Sequence, residues 1–167
     1  MAISHYENLP FDIPKNWAWC QLDDILDYEQ PTEYIVQTTN YSDLYKTPVL
    51  TAGKSFIIGY TNEDKGVFRN TPVIIFDDFT TESKYVDFEF KVKSSAMKIL
   101  KTNKNMDLHY VFYYMSITKL IGDSHKRYWI SEYSKLCIPI PPYNEQNRIV
   151  QTIESIFLQL DSVITEL

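Results

Sequence analysis

Glycine and cysteine are both scarce in this chain of 167 residues, with four of the first and two of the second. So few glycines leave no Gly-rich turn of the kind that cradles a nucleotide phosphate, and no cofactor is expected. Cys20 and Cys137 stand far apart and outside any metal-ligand spacing, which excludes a disulfide framework and a zinc site and predicts two buried free thiols. His5, His109 and His125 are too scattered to suggest a metal, and no serine or cysteine has a visible base beside it, so no catalytic residue is assigned. No apolar run approaches the roughly 20 residues of a membrane span. The first residues lack the basic and apolar regions of a signal peptide, and the expectation is a cytoplasmic protein.

Aromatic residues, by contrast, make up 15% of the chain, with 13 Tyr, 9 Phe and 3 Trp. That content suits one globular domain with an appendage and argues against disorder. The net charge of −6 would turn nucleic acid away if it were evenly spread. It is not: residues 84–135 hold ten basic and five acidic side chains, and the acids concentrate on either side.

Along the chain, residues 13–28 enter through a Pro-bounded extended stretch and then a short helical pattern with Leu22, Ile25 and Leu26 on one face. Residues 29–46 are polar and read as a loop. Short strand signals follow in TPVLTAG, SFIIGY, VFRNTPVIIF, KYVDFEFKV and SAMKIL. In TPVIIFDDF a continuous apolar run ends in two acids, the pattern of a central strand buried on both faces. A helix is predicted from about Met106 to Ile121, with Leu108, Val111, Phe112, Met115 and Leu120 facing the core and Gly122 as its stop. KLCIPIP supplies a last strand, and Asn144 is placed as the N-cap of a terminal helix. The fold class is α+β: a β-rich domain over residues 1–140 and a Pro-led helix over residues 141–167.

That terminal helix carries Ile149, Ile153, Ile156, Leu160, Val163 and Leu167 at alternating spacings of four and three, the repeat of a coiled-coil seam. Val150, Phe157 and Ile164 widen the stripe. A helix of about 24 residues spans about 36 Å, more than a domain of this size covers, and the prolines before it direct it outward. The stripe predicts a partner helix, and so a dimerisation surface.

These residues carry a family resemblance. LPFDIPKNWAWCQLDDI, PVLTAGKSFIIGY, TPVIIFDDF and above all Pro141, Pro142, Glu145, Gln146, Ile149 and Val150 in IPIPPYNEQNRIVQTI resemble the target recognition domain and following helix of specificity (S) subunits from type I restriction-modification systems. The resemblance spans residues 8–167. It implies a non-catalytic domain that reads one half of a split target in double-stranded DNA. The helix that follows would pair antiparallel with a second such helix, act as a ruler between two recognition domains, and dock methyltransferase (M) subunits within a complex that also holds restriction (R) subunits. Full-length members have two domains and two helices, so this chain is expected to be either a half-subunit that forms a homodimer or a piece of a longer S subunit.

The family reads bases through variable loops, so candidate contacts rest on chemistry. The basic, glycine-led stretch with Ser124, His125, Lys126, Arg127, Tyr128 and Trp129 ranks first; Thr80, Thr81, Ser83, Lys84 and Tyr85 at a strand end rank second, and Lys54 with Ser55 third. Lys91 and Lys93, two apart, are expected on one solvated face. Two other readings compete. Asp77 or Asp78 with Glu89 and Lys91 mimics a Mg²⁺-dependent nuclease triplet, and the helix could equally serve an interaction module that never touches DNA.

Overall fold

The computed structural model describes residues 9–51, 55–103, 105–118 and 127–165. In chain order its elements are β1 (Ala18–Gln21), α1 (Leu22–Ile25), β2 (Leu26–Glu29), a 3-10 turn at Pro31–Tyr34, β3 (Thr47–Leu50), β4 (Ile57–Thr61), β5 (Val73–Asp77) and β6 (Ser83–Val86). Then come β7 (Lys91–Val92), β8 (Met97–Thr102), α2 (Leu108–Ile117), a second 3-10 turn at Tyr133–Lys135, β9 (Cys137–Ile140) and α3 (Tyr143–Thr165). Four strands form an antiparallel sheet in the order β2-β8-β5-β6, three form a second in the order β4-β3-β7, and β1 pairs with β9.

The period of two along β5 divides the interior. Ile74 and Phe76 face a core made with α1, α2 and the aromatic segment Tyr128, Trp129 and Tyr133. Val73 and Ile75 face a second core with Leu50, Phe68, Phe90 and Val92. The four-stranded sheet is therefore the middle layer, and covering both faces is what its unbroken apolar run requires.

Leu22, Ile25 and Leu26 are all buried, although Leu26 already belongs to β2, a strand that the helical pattern conceals. Helix α2 starts two residues later than its apolar pattern, because Asp107 caps it by accepting from the amides of His109 (2.8 Å) and Tyr110 (3.2 Å), and it ends at Ile117, where the Thr118 amide turns back to the Met115 carbonyl. Leu120 and Gly122 lie outside the described residues. Helix α3 starts at Tyr143, where the Pro142 carbonyl accepts from the amides of Glu145 and Gln146, so Asn144 sits inside the first turn and is not the cap. Cys20 and Cys137 are only partly buried, on the paired strands β1 and β9.

Lys91 does not share a solvated face with Lys93. It is buried, with Nζ 3.1 Å from Glu63 and donating to the Lys65 carbonyl. Glu63 also accepts from the amides of Gln37 and Thr38 at 3.0 Å each, which fastens the polar loop after the first 3-10 turn to the β4–β5 connection. Gly66 in that connection has a φ of +63°, and a Cβ there would stand 2.5 Å from the Glu33 carbonyl oxygen, so only glycine fits without a shift of backbone. Burial by itself would raise the Glu63 pKa, but the two amides and Lys91 outweigh it and hold the carboxyl below its ordinary range. A depressed carboxyl pKa contributes stability above the unfolded value of about 4.3, lost as pH falls through the folded value. Glu63→Gln is expected to flatten this acid limb in unfolding midpoints measured below about pH 4.5, and an unchanged acid limb would show the knot to be inert.

Candidate nucleic-acid interface

Asp77 and Asp78 close the far end of β5 in two different ways. Asp77 Oδ1 accepts from the amides of Phe79 (2.9 Å) and Thr80 (3.3 Å), which shapes the turn into β6. Asp78 turns inward. Its Oδ2 lies 3.1 Å from Lys98 Nζ, with both side chains at 2% exposure or less; its Oδ1 accepts from the Trp129 amide at 2.9 Å, and its carbonyl accepts from the Tyr128 amide at 2.9 Å. One buried acid thus joins the β5–β6 hairpin to the segment that begins at Arg127. The Arg127 guanidinium lies over the Phe79 ring, 5.7 Å from its centroid.

The described end of the first-ranked stretch, Arg127 to Trp129, therefore meets the second-ranked stretch on one surface. Arg127, Thr80 and Lys84 are exposed there. Thr81 is buried, and its φ of 60° is unusual for a β-branched residue, a strain of about 1–3 kcal/mol held in the turn. The strand period separates the β6 candidates. Ser83 and Tyr85 pair with Phe76 and Ile74 on the α2 side, and Lys84 pairs with Ile75 on the other.

Several candidates are spent on the fold itself. Tyr128 and Trp129 are core residues at 4% and 2% exposure, with Phe76 5.1 Å from Trp129 and 4.6 Å from Tyr133 between ring centroids, so they anchor the segment and present nothing outward. The Ser83 hydroxyl is buried with no hydrogen-bond partner among the described residues. Tyr85 stacks on His109 at 3.9 Å, and burial followed by the charges of Asp87, Asp107 and Glu154 raises its pKa. That acidic setting suits a contact between layers better than one with phosphate. Ser55 is exposed between β3 and β4, in the other sheet, whereas Lys54, Ser124, His125 and Lys126 lie outside the described residues.

The nuclease triplet is not assembled. Asp77 shapes a turn, Asp78 pairs with Lys98, Glu89 pairs with Arg69 and Lys91 pairs with Glu63. Each charge is committed to a different neighbour. Phe79 on this surface and Lys98 beneath it are not announced by side-chain chemistry in the sequence, and Asp78, singled out there only as a possible metal ligand, serves instead to join the two segments.

Helix α3 changes character along its length. Gln146 and Val150 are buried, and Ile149 and Ile153 line an apolar groove with Tyr113, Ile117 and Phe157 beside α2. Beyond them Ile156, Leu160 and Val163 are 50–56% exposed and Leu158 and Ile164 more so. The near part of the heptad stripe therefore belongs to the domain and the far part stands bare. Leu167 lies outside the described residues.

A β-rich domain that ends in a projecting amphipathic helix defines an α+β protein. Residues 14–166 match the family described as "Type I restriction modification DNA specificity domain", and the chain belongs to that family. It is 52% identical over 130 residues to the type I restriction enzyme EcoR124I/EcoR124II specificity subunit of Escherichia coli, a match covering 74% of this chain and 32% of that protein. Two solved structures share the fold at 16% identity. The HsdS subunit from Thermoanaerobacter tengcongensis superposes with a TM-score of 0.60 over 93% of this chain and 41% of its own. The type I restriction-modification S subunit from M. genitalium does so with a TM-score of 0.68 over 93% and 43%. The chain thus spans about a third of the length of the curated relative. Among the described residues no helix is long and apolar enough to cross a membrane.

Proposed function

We propose that this chain is a non-catalytic DNA-reading unit of a type I restriction-modification system. It recognises one half of a bipartite target with the surface where the β5–β6 hairpin and the Arg127 segment meet. The observation that carries this reading is the convergence at Asp78: the β5–β6 turn and the segment that begins at Arg127, distant in sequence, are held together on one scaffold, as a base-reading surface requires. Residues 1–140 form the reading domain and residues 141–167 the spacer. The bare end of α3 pairs with the same helix of a second copy as a coiled coil, and the paired rods dock methyltransferase and, through them, restriction subunits in the cytoplasm. Twofold pairing makes the target a split palindrome in double-stranded DNA.

Arg127→Ala tests the surface. In the assembled complex it is expected to weaken target binding by about 1–3 kcal/mol, about five- to 150-fold in Kd, with the unfolding midpoint nearly unchanged because the guanidinium is exposed. A relaxed base preference would place Arg127 on a base edge, and a shallower salt dependence would place it on phosphate. Wild-type affinity, preference and salt slope together would remove this surface from the DNA.

A further inference from the structure

The junction between domain and rod is built from polar contacts that a greasy hinge would not need. Gln146 is 1% exposed. Its Oε1 accepts from the Asp107 amide at 3.0 Å, at the capped start of α2, and its Nε2 donates to the Pro141 carbonyl at 2.9 Å. One side chain therefore fixes α3 against both α2 and the turn from which α3 departs. On the opposite flank the Trp17 indole donates to Glu145 at 3.2 Å, a second strut from the N-terminal side of β1. Tyr110 and Tyr114 hold the strand before the turn by donating to the carbonyls of Pro139 (2.7 Å) and Cys137 (2.9 Å).

We infer that Gln146 is a positioning residue for target geometry: it locks the direction in which the rod leaves the domain, and so the spacer length over which two half-sites are accepted. The inference rests on the reading of the chain as one of two joined DNA readers. A helix of 23 residues is about 34 Å long, and a swing of about 10° at its base carries its far end about 6 Å. DNA rises about 3.4 Å per base pair, so such a swing spans about two base pairs of spacer. Apolar packing alone tolerates sliding and rotation. Two directional hydrogen bonds from a buried amide do not, because losing either leaves a backbone group without its partner.

The test uses the full chain assembled with its methyltransferase subunits, on DNA duplexes carrying the two half-sites at graded spacer lengths, with methyl transfer as the readout. The wild type is expected to favour one spacer. Gln146→Leu, close in volume but without either hydrogen bond, is expected to lower that preference at least tenfold against spacers one or two base pairs longer or shorter, with binding to a single half-site unchanged. Gln146→Glu keeps the acceptor for Asp107, loses the donor to Pro141, and should fall between. If Gln146→Leu does not fold, Trp17→Phe removes the outer strut alone and should broaden the preference by a smaller factor. Unaltered spacer selectivity in the folded variants overturns the role of the joint and leaves the specificity reading standing. A wild type indifferent to spacer length overturns both.

Discussion

Lys98→Met is expected to cost the fold about 3–5 kcal/mol, and the paired change Lys98→Met with Asp78→Asn to recover most of that loss. Lys98 and Asp78 are both almost fully buried and face each other at 3.1 Å, so removing the ammonium strands a carboxylate between Phe76 and the aromatic segment. The paired change removes both charges, and asparagine keeps an oxygen for the Trp129 amide, which Asp78 accepts at 2.9 Å. A stability of about 5–15 kcal/mol makes the single loss about a fifth of the total or more. Urea unfolding followed by near-ultraviolet circular dichroism measures it, since Trp129 and Tyr133 report on the same core. The hairpin and the Arg127 segment should also lose their mutual order in Lys98→Met, so DNA binding should fall with stability. A single variant within about 1 kcal/mol of the wild type would show that the two loops are joined by something other than this acid.

That prediction turns on contacts which residue patterns do not disclose. The unbroken apolar run makes β5 legible, and the heptad spacing makes α3 legible, because both are periodic and local. Lys98 is not legible. In SAMKIL it looks like the solvent position of a half-buried strand, and only the register that sets Lys98 opposite Phe76 and near Asp78 turns it inward. Trp129 and Tyr128 mislead in the opposite sense, because they follow a basic stretch and invite a binding role. Their amide nitrogens are what the site uses, and backbone donors leave no mark in a side-chain pattern. The strand β2 is hidden by its length, four residues that continue a helical spacing until pairing with β8 decides the matter. Gln146 is visible as part of a family motif, but its reason for being glutamine appears only once α2, the proline turn and α3 are placed together.

Replacing Leu160 and Val163 together by aspartate is expected to convert a paired rod into a single chain of 19.7 kDa, read by sedimentation, while the unfolding midpoint of the domain stays within the range of surface substitutions, about 0.5 kcal/mol. Both side chains are more than half exposed and lie past the last residues that α3 packs against α2, so the domain loses no contact. In a pair their burial contributes about 1.5–3 kcal/mol for each side chain fully covered, and two carboxylates in the same seam oppose it. Ile153→Asp separates the two halves of the stripe. Ile153 lines the groove with Tyr113 and Phe157, so this change should lower the stability of the single chain as well as weaken pairing. A pair that persists in the Leu160 and Val163 variant would place the contact elsewhere on the molecule. A wild type that remains single at tens of micromolar would mean that the bare end of α3 is covered by a partner other than its own copy.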